Sequence, residues 1–144
     1  MIVSQILKSK ENAGVVSVRP GDPVSVAVAL LSEKRIGTVV VSSDGVALDG
    51  ILSERDVVRE LGKRGASCLS DKVSDLMTAK LITCTPDEQT DAVLEKMTAG
   101  RFRHMPVLED GKMIGLISIG DMVKARLSEL AMEKDALEGM IMGH

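Results

Sequence analysis

Tryptophan and tyrosine are absent from this chain, and Phe102 is its only aromatic residue. A planar base bound here would have to be sandwiched mainly by aliphatic and methionine side chains and by backbone. The aromatic stacking platform of single-strand nucleic-acid binders is missing. Cysteine is scarce as well: Cys68 and Cys84 stand outside any CxxC or histidine-paired metal spacing and read as reduced thiols of a cytoplasmic protein. There is no basic excess, since 18 Lys and Arg against 21 Asp and Glu leave a net charge of −3, which argues against a general electrostatic hold on nucleic acid. No apolar run approaches the roughly 18 residues of a membrane span. The first residues, Met1 to Lys8, lack the pattern of a secretory signal. With 44% hydrophobic and 27% charged residues, the composition is that of a globular domain.

What the chain has is repetition. Gly50-Ile-Leu-Ser53-Glu54-Arg55-Asp56 returns as Gly115-Leu-Ile-Ser118-Ile-Gly120-Asp121. Pro20 and Pro86, at positions 20 and 86, open matching turns before apolar helical stretches, and Asp44-Gly45 matches Asp110-Gly111 at the same offset. One extra residue in the loop from Asp44 to Asp49 shortens the later offset by one. The lead-ins also correspond, Val3-Ser-Gln-Ile-Leu7 with Val73-Ser-Asp-Leu-Met77. The chain is therefore an internal duplication, with too few units for a solenoid.

Each unit reads as strand, helix, strand, hairpin strand, helix. In the first, the elements are expected at Val15 to Val18, Val24 to Lys34, Thr38 to Val41, Gly50 to Leu52 and Glu54 to Lys63. The second should hold a strand from Leu81 to Cys84 and a helix opened by Thr85-Pro86-Asp87-Glu88 and closed near Gly100. A hairpin then turns on Asp110-Gly111, and a long last helix runs from about Gly120 to Leu137. Residues 3–65 make repeat one, 66–80 a linker, 81–127 repeat two and 128–144 a C-terminal helical extension. An α/β (α+β) fold follows, each repeat a small sheet covered by two helices. Face-to-face packing of the repeats about a pseudo-twofold should bring the two polar corners near one cleft.

Ser-x-x-Asp has two readings. It is a capping box, worth about 1 kcal/mol per helix and no function. It is also a short acid at a helix start, able to accept two hydroxyl hydrogen bonds from a vicinal diol such as a ribose. In the second reading, the preceding glycine lets a ligand approach the backbone.

Gly-h-h-Ser-x-x-Asp closing each copy, Arg103-His104-Met105-Pro106-Val107 on the second middle strand, and Pro20 and Pro86 together resemble a tandem pair of cystathionine-β-synthase (CBS) domains, or Bateman module, over residues 3 to 127. The resemblance is strongest to stand-alone single-pair proteins. It implies a non-enzymatic sensor that binds an adenosine-containing ligand such as AMP, ADP, ATP, NAD or S-adenosylmethionine between the repeats. It further implies that Asp121 and Asp56 hold ribose hydroxyls, with Ser118 and Ser53 at the ribose or first phosphate. Thr83 and Ser17 would meet the base or ribose edge, Met105 and Pro106 would line the adenine slot, and Arg55, Arg101, Arg103 and His104 would serve phosphate. Such modules form homodimers, for which the apolar stretches Val24 to Leu31 and Ala92 to Met97 are the natural surfaces. The alternative is a dimeric interaction scaffold, its long last helix docking a regulated protein partner. The first middle strand, Gly37-Thr38-Val39-Val40, lacks the Arg-His pair and the proline. The Asp121 corner is therefore expected to be the main site, with a bound ligand bridging Asp121 to Arg55.

Overall fold

The structure is a computed structural model that describes residues 1–10 and 15–141. Residues 11–14 of the first repeat and 142–144 of the C-terminal extension lie outside the described residues. The first unit holds β1 (Ser17–Val18), α2 (Val24–Lys34), β2 (Thr38–Val41), β3 (Gly50–Ser53) and α3 (Glu54–Arg64), preceded by α1 (Val3–Ser9). A short 3-10 helix (Gly65–Ser70) and α4 (Val73–Leu76) follow, inside the stretch expected as a linker. The second unit holds α5 (Thr90–Gly100), β4 (His104–Glu109), β5 (Lys112–Ser118) and α6 (Ile119–Ile141).

β1 pairs in parallel with β2, which pairs antiparallel with β3. β2 is a run of β-branched residues buried along its whole length, as suits a strand covered on both faces. In the second unit β4 and β5 form the hairpin, and its turn puts Asp110 and Gly111 at φ 52° and 77°, the two positive φ angles of a type I′ turn. The expected strand from Leu81 to Cys84 contracts to one parallel bridge, Cys84 to Val107, the counterpart of Val18 to Val41. The expected helix start at Thr85 to Glu88 is also corrected. There the chain closes on itself, with the Thr85 N–H donating to Glu88 Oε2 at 2.6 Å and its hydroxyl to Asp87 Oδ1 at 2.6 Å, and α5 begins only at Thr90.

The proline turns have another use. Pro86 and Glu88 carbonyls accept from the Ser4 and Val3 N–H groups at 2.8 and 3.0 Å, and Pro20 and Asp22 carbonyls accept from Ser74 and Val73 at 2.9 and 2.8 Å. These are the first N–H groups of α1 and α4, which have no partner inside their own helices. The lead-in helices are thus exchanged. Val3 and Ile6 of α1 are buried with Val93, Met97, Met105 and Ile117 of the second unit, whereas Val73 of α4 is buried with Val24, Val39 and Leu52 of the first. With no tryptophan or tyrosine available, both cores fill their volume with branched aliphatics and methionine, which adapts to irregular gaps.

The glycine that opens each corner phrase serves this exchange. A Cβ on Gly50 would sit 2.8 Å from the Met77 sulfur and 2.8 Å from the Thr78 carbonyl oxygen, and one on Gly115 would sit 2.6 Å from Leu7 Cδ2. The close approach expected of a ligand is made by the lead-in chain itself. The apolar stretches expected to pair in a homodimer are corrected in part: Val24, Ala27, Leu31, Val93 and Met97 are core residues of the monomer, and Val26 and Leu94 remain exposed. Further exposed apolar side chains lie on α3 and α6, with Val58 at 66%, Val123 at 48%, Leu127 at 63% and Leu130 at 45% of full exposure.

Candidate functional site

Both corners are capping boxes in their backbone geometry. Asp56 Oδ2 accepts from the Ser53 N–H at 3.0 Å and Ser53 Oγ accepts from the Asp56 N–H at 3.2 Å. Asp121 Oδ2 accepts from the Ser118 N–H at 2.9 Å while Ser118 Oγ accepts from the Asp121 N–H at 3.0 Å. Local sequence dictates this much, because the N3 acid and the N-cap hydroxyl each satisfy a donor that the helix cannot. The remaining carboxylate oxygens distinguish the two corners. Asp56 Oδ1 is bound by Arg59 of the same helix at 2.7 Å, and the residue is only 8% exposed. Asp121 Oδ1 has no hydrogen-bond partner among the described residues. Its Oδ2 also takes the Lys10 ammonium at 2.9 Å. Burial alone would raise the Asp121 carboxyl, but Lys10 and the Ser118 donors outweigh it and hold the group below the usual carboxylate range.

The two corners open into two clefts, not one. One, of about 1280 Å³, is lined by Ser118, Asp121 and Gly115 of the second unit and by Val16, Ser17, Lys34 and Thr38 of the first, with Leu7 and Lys10 from the lead-in. The other, of about 520 Å³, is lined by Ser53, Arg55, Asp56 and Arg59 of the first unit and by Ile82, Arg101, Phe102 and Arg103 of the second, with Thr78 and Lys80 from the second lead-in. Each corner therefore faces the opening segment of the opposite repeat. Between the clefts the pseudo-twofold brings together two equivalent residues, Thr38 Oγ1 and His104 Nδ1, at 3.1 Å.

This arrangement corrects several expectations. Arg101 and Arg103 line the cleft of Asp56, not that of Asp121, so the Asp56 cleft holds most of the arginines. Asp121 and Arg55 lie in different clefts, and one ligand does not bridge them there. Ser17 lies opposite Asp121, while Thr83 is absent from the lining of either cleft. Met105 is fully buried in the second core, and Pro106 beside it is buried in the sheet, where its carbonyl accepts from Cys84; neither forms a slot wall. His104 lines both clefts, but burial pushes its imidazole below the ordinary value, outweighing the Asp121 carboxylate, so at neutral pH it offers hydrogen bonds and no charge.

Sequence reasoning missed Lys10, Lys80, Arg59 and the cleft position of Phe102. The lysines were within reach: Lys10 and Lys80 keep the same 70-residue offset as Val3 and Val73, so each lead-in brings one lysine. Arg101 and its counterpart Arg35 end α5 and α2 with positive φ angles of 57° and 52°. Non-glycine residues adopt that conformation at a cost of about 1–2 kcal/mol. In the small cleft five cations, Arg55, Arg59, Lys80, Arg101 and Arg103, face two carboxylates, Glu54 and Asp56. The large cleft sets Lys10 and Lys34 against Glu33 and Asp121. Neither cysteine joins a cleft: both are buried, and burial raises the Cys84 thiol to about 11.

Comparison with known proteins agrees with the duplication. The model of the CBS domain matches residues 3–63 and 73–128. The chain is 38% identical, over 98% of its length and 72% of the relative's, to the mitochondrial CBS domain-containing protein CBSX3 of Arabidopsis thaliana. It superposes with a TM-score of 0.83 and 41% identity on the CBS-domain protein ATU1752 of Agrobacterium tumefaciens, covering 88% of this chain and 99% of that one. The CBS domain pair of protein MJ0100, solved with 5′-methylthioadenosine and S-adenosyl-L-methionine, shares the fold at a TM-score of 0.77 and 22% identity, covering 90% of this chain and 98% of that one. With two family segments in tandem, two exchanged lead-ins and two corners facing two clefts, the chain belongs to the CBS-domain family as a tandem pair.

Proposed function

We propose that the chain is a regulatory module that binds an adenine nucleotide, AMP, ADP, ATP or NAD, between its repeats and reports energy or redox state by the relative orientation of the two units. The observation that carries this reading is the small cleft. Its volume, about 520 Å³, falls in the range of small-molecule sites, and among the described residues five cations face two carboxylates. Guanidinium groups suit phosphate oxygens, so a polyphosphate or pyrophosphate ligand fits best and cationic S-adenosylmethionine fits worst. Ile51, Ile82 and Phe102 supply the apolar wall for a base. In the large cleft the free Oδ1 of Asp121 is the better-placed acceptor for a ribose diol. The adenosine ligands of the MJ0100 pair are a precedent for the ligand class within the fold.

Differential affinity for two arrangements of the units is the only way a ligand can shift their equilibrium, and phosphate count then becomes the signal. The exposed apolar face of α3 and α6 fits a homodimer or a regulated protein partner, and the buried, unreactive Cys84 fits a cytoplasmic setting. Titration calorimetry with AMP, ADP, ATP and NAD tests the reading. ATP or NAD should release heat, and Arg103→Ala should weaken that binding by roughly 10- to 100-fold, as loss of a charged hydrogen bond does. No heat with any of the four, on protein shown free of carried-over nucleotide by its absorbance at 260 nm, refutes it.

A further inference from the structure

One oxygen of the acid in the large cleft is already occupied. Lys10 Nζ lies 2.9 Å from Asp121 Oδ2 and donates to the Leu116 carbonyl at 2.8 Å, so the lead-in of the first repeat supplies a counter-ion to the corner of the second. The lysine of the other cleft does not play this part. Lys80 makes no ion pair among the described residues, and Asp56 is matched by Arg59 from its own helix. Position 124, the counterpart of Arg59, is a lysine that pairs with nothing among the described residues, so the counter-ion in the second unit has moved from helix to lead-in.

A neutral diol that donates both its hydroxyls to Asp121 takes Oδ2 as well as the free Oδ1, so it has to draw the carboxylate away from a half-buried ammonium and leaves that cation without an anion. Among the described residues the cleft offers it no ready substitute, because there Lys10 and Lys34 are balanced by Glu33 and Asp121. A phosphate supplies the missing anion, and the flexible four-carbon stem of lysine can follow it. A cationic ligand makes the imbalance worse.

We infer that Lys10 makes the Asp121 cleft select nucleoside phosphates over nucleosides and sulfonium nucleosides, by requiring that an incoming ligand bring its own anion for the displaced ammonium. This specificity rests on nucleotide binding in the clefts as proposed above, and deepens it for one of them. Lys10 acts as a gatekeeping counter-ion, released from Asp121 only in exchange for phosphate.

The test is an NMR titration of the full chain with AMP, adenosine and S-adenosylmethionine, followed at the amides of Ser17 and Leu116, which line this cleft and not the other. Wild type should prefer AMP over adenosine by roughly 30-fold, the scale of one charge-assisted contact. Lys10→Met should bring that ratio below about threefold by weakening AMP and strengthening adenosine, and Lys10→Arg should keep it. An unchanged ratio in a Lys10→Met protein whose spectrum shows it folded overturns the role of Lys10 and leaves nucleotide binding standing. Binding of AMP in wild type no stronger than adenosine overturns it equally. No response at these amides to any ligand in either protein overturns the role of Lys10, and the absence of calorimetric heat with every nucleotide overturns the nucleotide reading itself.

Discussion

At the scale of single residues, the same four side chains perform structural and ligand-facing work. Ser53, Asp56, Ser118 and Asp121 are helix caps by geometry, and the cap uses only one oxygen of each acid. The choice between cap and diol acceptor, open in the sequence, is therefore not exclusive. His104 is more constrained, since it bonds Thr38 across the pseudo-axis and burial depresses its basicity. Its folded form resists a proton that the unfolded chain accepts, so stability falls as pH drops through the window just below the ordinary imidazole value. Asp121, held below the usual carboxylate range, adds a further loss only at more acid pH, as it becomes protonated. The melting temperature should accordingly decline between pH 7.5 and 5.5, with one group limited to a slope of about 1.4 kcal/mol per pH unit. His104→Gln should flatten that segment of the curve. An unaltered slope in the variant would place the titration elsewhere.

At the scale of elements, the repeated glycines report on helix exchange. Gly50 meets a backbone carbonyl, Thr78 O, whereas Gly115 meets the tip of a flexible leucine. Gly50→Ala should therefore be the more damaging of the two, by about 1–3 kcal/mol in urea unfolding, the usual range for an overpacked site. Gly115→Ala should cost less, and Leu7→Ala should relieve part of it. Equal costs with no relief would show that the strands, not the lead-ins, set the requirement. Much at this scale was legible beforehand. Val24, Ala27 and Leu31 mark α2 by their spacing, and Asp110-Gly111 marks the hairpin turn, because both signals are local. The opening strand at Leu81 to Cys84 was overread: its pairing depends on a distant partner, Val107, and only Cys84 reaches it.

At the scale of the whole molecule, the sequence showed two equivalent corners but not what each corner faces. Residue offsets describe likeness between repeats, whereas the pairing of Asp121 with Ser17, and of Asp56 with Arg101 and Arg103, depends on how the halves cross. The grouping of Arg103 with the Asp121 corner was misjudged for that reason, since Arg103 lines the cleft of Asp56. The surface speaks to assembly: Val58 on α3 and Val123 on α6 are exposed equivalents on helices of opposite units. If the proposed homodimer forms through this face, Val58→Asp with Val123→Asp should convert it to monomer in sedimentation while the circular dichroism spectrum stays unchanged. Wild type that sediments as a monomer at all concentrations would refute the assembly.

The exchanged lead-ins have a consequence for the integrity of the chain. The α1 helix lies in the second core and α4 in the first, and residues 65–72 tie the first repeat to the lead-in of the second. A single cut in that stretch would give two fragments, each still holding a helix that completes the other's core. The pair is therefore clasped rather than strung together. The two clefts stay in register through mutual insertion, with the connecting peptide bond as a secondary tie.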